Sequence, residues 1–222
     1  MTLNPRQIMD RLAPLYGWPE HVPHGDAVAE LVLTVLSQNT ADTNSGRAFT
    51  QLLRRYPSWQ AVVEAPPEEL VLTIQPGGLA QQKAPRIQAI LRAVEERSPG
   101  WDLQFLREMP LEEARAWLRS LPGVGPKTAA CVLLFALGLP AMPVDTHVER
   151  VAKRLGLINA KATPEQAHEL LEALVDPADY YPFHMLLIKH GRRLCSARRP
   201  QCGACPLAPD CPSNTSPAGA TA

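Results

Sequence analysis

Long apolar runs are missing from this 222-residue sequence. No stretch approaches the roughly 18 uncharged apolar residues of a membrane-spanning helix, so no membrane segment is expected. The first residues, Met1-Thr2-Leu3-Asn4-Pro5-Arg6, lack the charged and apolar regions of an export signal, and a cytoplasmic location is expected. Net charge is missing too: 22 basic residues balance 22 acidic ones, which by itself argues against a nucleic-acid partner. Alternating strand patterns and internal repeats are also absent. Cysteine is scarce at five residues, and in such a chain a disulfide framework is not expected.

What remains is helical. Asn4-Pro5 reads as an N-cap and first helical position for a helix to about Leu15, and Asp26 as the cap of a second. Further helices are expected over Thr43–Tyr56, Ser58–Glu64, Pro67–Ile74, Ala80–Glu96 and Leu111–Ser120. The stretch Lys127–Leu137 is apolar on every side after Thr128, so it must be buried, and Gly138-Leu139-Pro140 stops it. Thr146-His147-Val148-Glu149 and Thr163-Pro164-Glu165-Gln166 each have capping-box spacing. The 45% hydrophobic content is ample for a core, and the fold class is all-α.

Neutrality hides segregation. Lys189, Arg192, Arg193, Arg198 and Arg199 cluster near the C-terminus beside His184 and His190, while Glu165, Glu169, Glu172, Asp176 and Asp179 collect elsewhere. Such a chain can present a positive face to phosphates, although a solvated basic loop has the same composition. Four of the five cysteines, Cys195, Cys202, Cys205 and Cys211, have the spacing C-x6-C-x2-C-x5-C. One segment can wrap these thiolates around a zinc ion or a [4Fe–4S] cluster. Cys131, inside the buried stretch, reads as a small core residue.

Between the helix ending near Ser120 and the buried one lies Leu121-Pro122-Gly123-Val124-Gly125-Pro126-Lys127-Thr128-Ala129. Glycines allow a tight turn and close approach to another surface, and amides at a helix start suit a phosphate. Val124 is expected to pack beneath the turn. This string resembles the helix–hairpin–helix signature of the endonuclease III family of DNA glycosylases. That family also carries an aspartate in a Val-Asp-Thr-His string some twenty residues on, matched here by Val144-Asp145-Thr146-His147. The cysteine spacing is similar to the family's iron–sulfur loop, which favours a [4Fe–4S] cluster over zinc. The resemblance covers about residue 26 to Cys211.

It implies a chemistry. Releasing a base passes through a cationic, oxocarbenium-like sugar. An amine attacking C1′ leaves a Schiff base, which acidifies the C2′ proton and permits β-elimination of the 3′ phosphate. By resemblance Lys127 supplies the amine. A free lysine, with pKa about 10.4, is neutral in about one molecule in a few thousand at pH 7, so its site must help it lose a proton. The start of a buried helix does so through its dipole. Asp145 then either accepts a proton or stabilises the sugar cation; the sequence leaves both roles open.

The resemblance implies two helical lobes with a DNA groove between them. Residues 22–132 form a helical barrel with the hairpin, residues 1–21 and 133–212 a cluster domain, and residues 213–222 an unstructured tail. Gly123, Val124 and Gly125 would contact phosphate, as would Arg198 and Arg199 on the cluster loop. Gln38 or Asn39, with Leu79 in Pro76-Gly77-Gly78-Leu79-Ala80, would enter the duplex when a base is extruded. Ala80 and the Gly77-Gly78 pair depart from the usual form of that loop. The expected partner is duplex DNA with oxidised pyrimidines or abasic sites, acted on by a monomer. Two rivals are a monofunctional mismatch glycosylase and a non-catalytic, metal-stabilised DNA-binding module. The first usually lacks the hairpin lysine, or for adenine adds a C-terminal domain; the second has no need of Lys127 with Asp145.

Overall fold

The structure, a computed structural model, describes residues 3–214, and no strand occurs among them. The helices are α1 (Pro5–Tyr16), α2 (Ala27–Ser37), α3 (Asp42–Arg55), α4 (Trp59–Glu64), α5 (Pro67–Ile74), α6 (Ala80–Arg97), α7 (Leu111–Ser120), α8 (Pro126–Cys131), α9 (Thr146–Arg154), α10 (Pro164–Leu174) and α11 (Tyr180–Arg193). The tail expected over residues 213–222 lies, after Asn214, outside the described residues. The Asn214 amide itself donates to the Cys211 carbonyl at 3.0 Å.

Polar side-chain caps open five of these eleven helices. Asn4 and Gln7 form a reciprocal capping box, as do Thr163 and Gln166, while Asp26 and Ser58 accept from amides three residues on. Each such cap is worth about 1 kcal/mol. Three features differ from the expectations. The cap of α9 is Asp145 rather than Thr146; its Oδ1 accepts from the His147 and Val148 amides, and Glu149 instead pairs with Lys153 at 2.6 Å. A carboxylate capping that end also meets the positive end of the helix dipole. The buried segment after the hairpin is not one α-helix: α8 widens into a π-helical turn over Val132–Ala136, ended by Gly138 at φ 69°. Helix α11 had no sequence signal, because Pro182 and a scatter of His, Lys and Arg obscure its period. Pro182 lies in the first turn, where a missing N–H breaks no helical hydrogen bond.

The chain forms two compact units, one of residues Pro23–Leu139 and one joining the chain before Pro23 to the chain from Pro140 on. In the first, α2 is the central rod: Val28, Leu31, Val32, Val35 and Leu36 are all buried, and it packs against α3, α6, α8 and the π turn. Each such side chain contributes about 1.5–3 kcal/mol of burial. In the second, α11 packs on α9 and α1. His184 and His190 are 2% and 1% exposed in this unit, so they do not belong to the basic surface on which the sequence placed them.

Candidate functional site

The hairpin leaves α7 at Leu121, whose carbonyl accepts from the Val124 amide at 3.1 Å. Val124 is buried beneath the turn. Gly123 has φ 71°, and a Cβ there would collide with the Arg86 guanidinium. Gly125 differs: its backbone, φ −96° and ψ −178°, is open to any residue, and a Cβ would meet nothing within 4 Å. The turn itself therefore demands only the first glycine. Gly123→Ala should cost about 1 kcal/mol or more, whereas Gly125→Ala should fall within about 0.5 kcal/mol of the parent. Thermal melts of the two variants check this; equal losses would show that the turn needs both.

Gly125 caps α8 without a side chain and Pro126 occupies its first position, so no side-chain cap closes the helix start. Lys127 stands next, half-buried, on the same helix as buried Thr128 and Ala129. A residue the sequence did not suggest shares its surroundings. Glu30, 9% exposed on α2, accepts from the Thr34 hydroxyl at 2.9 Å and lies 3.4 Å from His24 Nε2. Burial pushes the Glu30 carboxyl up; the Thr34 and His24 contacts, and the charge of Lys127, pull it back. Its polarity inside an apolar helix was the available signal.

The residues expected to probe DNA are held in different ways. Gln38 is tied inward: its Nε2 donates to the Gly123 carbonyl at 3.0 Å and its Oε1 accepts from Arg86 at 2.9 Å. Gln38 thus braces the hairpin, and the exposed residue beside it is Asn39, at φ 52°. Leu79 is 47% exposed, also at φ 52°. An apolar, left-handed, exposed residue at a helix start is strained, and such strain gathers at functional positions. Gly77 is buried, and a Cβ on it would lie 3.0 Å from the Ala48 Cβ, so close packing explains one member of the Gly-Gly pair.

Asp145 belongs to the other unit. The extended segment before it is fixed by buried histidines: His184 Nδ1 lies 2.7 Å from the Pro143 carbonyl, and His168 Nδ1 3.1 Å from that of Met142. Only donation satisfies a carbonyl, so both rings carry a proton on Nδ1. Asp145 Oδ1 is committed to the α9 cap, and Oδ2 has no hydrogen-bond partner among the described residues.

Cys195, Cys202, Cys205 and Cys211 line one cavity with Val151, Leu155, Leu194, Pro200, Leu207 and Ala208. Burial pushes the Cys205 and Cys211 thiols up, and the neighbouring sulfurs add to it, as expected where a cluster must hold thiolates together. Donors face the sulfurs: an Arg154 guanidinium nitrogen lies 3.3 Å from Cys195 Sγ, and His190 Nε2 3.5 Å from Cys205 Sγ. Burial keeps His190 neutral to about 4, and its Nδ1 meets the Tyr16 hydroxyl at 3.1 Å. Arg154 also grips the Ser196 and Ala197 carbonyls at 2.7 and 2.9 Å, and Arg150 grips that of Cys195 at 3.2 Å. A four-thiolate set in a largely apolar pocket, with donors beside two of the sulfurs, fits an iron–sulfur cluster. Arg198 and Arg199 are exposed on the loop.

Residues 32–177 match the HhH-GPD superfamily of base excision DNA repair proteins, and residues 195–211 match the iron–sulfur binding domain of endonuclease III. The chain is 36% identical to endonuclease III of Thermotoga maritima over 194 residues, 87% of this chain and 86% of that one. It is 34% identical to endonuclease III of Bacillus subtilis over 209 residues, covering 92% and 91%. Its fold superposes on a trapped endonuclease III–DNA covalent intermediate with TM-score 0.80 at 30% identity, over 96% of this chain and 97% of that one.

Proposed function

The chain belongs to the HhH-GPD superfamily as an endonuclease III-like DNA glycosylase of base excision repair with an iron–sulfur domain, and from that premise we propose that it is bifunctional, excising oxidised pyrimidines and then cleaving the strand. The observation that carries this reading is Lys127, at the second position of an uncapped helix beneath the hairpin. A monofunctional enzyme has no use for an amine there.

The steps follow from that amine. Unprotonated Nζ of Lys127 attacks C1′ of the damaged nucleotide; the glycosidic bond breaks and the base leaves with the electron pair, taking up a proton. A proton passes from nitrogen to O4′ as the C1′–O4′ bond breaks, which opens the sugar ring and gives an iminium. A base removes the C2′ proton, the electron pair forms the C2′–C3′ double bond, and the C3′–oxygen bond breaks to release the 3′ phosphate. Water then hydrolyses the imine and frees Lys127. Asp145, through its uncommitted Oδ2, supports the cationic sugar or receives the proton. The amides of the hairpin and the guanidiniums of Arg198 and Arg199 hold phosphates, which position the duplex without reading its bases. Cys195, Cys202, Cys205 and Cys211 hold the [4Fe–4S] cluster, which serves to shape the loop bearing those arginines.

Product analysis tests this. Duplexes carrying one oxidised pyrimidine should be nicked without alkali, leaving an unsaturated aldehyde on the 3′ end. Duplexes with a mispaired thymine or adenine should be processed at least about tenfold more slowly. Release of free base with strand breaks only after hot alkali would overturn the bifunctional reading.

A further inference from the structure

Among the largest fully buried side chains of the described residues is a lysine. Lys83, on α6, is 1% exposed. Its three donors are spent on Leu36 O at 2.5 Å, Thr40 Oγ1 at 2.8 Å and Gly77 O at 2.9 Å. No carboxylate pairs with it among the described residues; the other charge that acts on it is Arg86, of the same sign, and burial first, then that charge, pull its pKa down. A buried cation without a counter-charge is costly, and a methionine would fill similar space without that cost. The acceptors show what the ammonium does. Leu36 lies in the last turn of α2, just before the Gln38–Asn39–Thr40 turn, and Gly77 precedes Leu79 in the second loop. The Thr40 hydroxyl closes the knot by donating to the Gly77 carbonyl at 2.5 Å. Just outside this knot stand Asn39 and Leu79, two non-glycine residues held at φ 52° and exposed.

We propose that Lys83 is a positioning residue for base extrusion: it locks the two loops to each other so that Asn39 and Leu79 are presented as one rigid wedge to the duplex. The inference rests on the glycosylase reading above. Side chains that displace a stacked base must resist its return, and two separately mobile loops would yield. Lys83 contributes nothing to the chemistry at C1′ in this account.

The test is single-turnover excision by the iron-loaded protein, on one lesion either fully paired or set in an unpaired bulge, where little must be unstacked. Lys83→Met should slow excision from the paired site at least about tenfold while changing the bulged site less than about twofold. Thr40→Val, which removes one link of the knot, should show the same selectivity with a smaller loss. A general loss of structure would slow both substrates alike, so equal losses, or none, would overturn the inference. If Lys83→Met does not fold, Thr40→Val decides by the same criterion. A parent protein that excises from neither substrate would instead overturn the glycosylase reading, and this inference with it.

Discussion

Lys127→Gln is expected to lower strand cleavage at least about a thousandfold, the scale on which removal of a covalent nucleophile is felt. Glutamine is one bond shorter than lysine but fills similar space and keeps a polar end, and its site is half-buried at a helix start. Neither the Val124 packing nor the Gln38 brace involves the amine, so the melting temperature should move little. Duplex binding should survive within about tenfold, because the hairpin amides, Arg198 and Arg199 remain. A carboxamide nitrogen is not basic and forms no iminium, so residual base release by water would leave an intact abasic site. Gel assays with and without alkali separate the two products. Undiminished nicking by the purified variant would move the nucleophile elsewhere.

Cys202→Ala should strip the cluster and unravel the C-terminal loop. Loop residues 195–211 include no α-helix and little apolar burial apart from Leu207, so their order depends on the four sulfurs and on the Arg150 and Arg154 grips. With three thiolates around an apolar cavity, iron affinity falls and the buried sulfurs must be protonated or exposed. The parent protein should be brown with about four irons per chain, and the variant colourless with less than about one. Because metal binding here is folding free energy, a loss of several kcal/mol in this unit is expected, visible as an early melting step. A brown, equally stable Cys202→Ala protein would show that the loop does not depend on the sulfur set.

The all-α class was legible because its signals are local. Caps such as Asn4, Asp26 and Thr163 sit beside the helices they start, and α5 and α7 run as their Pro67–Ile74 and Leu111–Ser120 periods indicate. The candidate site residues stand out as motifs, and their partners do not. Nothing in the local sequence says that Gln38 turns inward to brace Gly123, since that bond joins residues 85 apart. Nothing local marks Lys83 as buried either, because its backbone acceptors lie on α2 and in the second loop. Asp145 as cap, rather than Thr146, turns on which backbone is extended, a matter of tertiary path that the buried His184 settles. Helix α11, unmarked in the sequence, draws its stability from packing on α9 and α1 rather than from propensity.

The claim beneath all of this is that an amine of this chain becomes covalently joined to the sugar. Incubating the iron-loaded protein with a labelled duplex bearing one oxidised pyrimidine, in borohydride, reduces any iminium to a stable amine. The account predicts a protein–DNA adduct that survives denaturing electrophoresis, with the label mapping by peptide sequencing to Lys127. An enzyme that releases the base at full rate yet leaves no adduct, or an adduct on another residue, would contradict it.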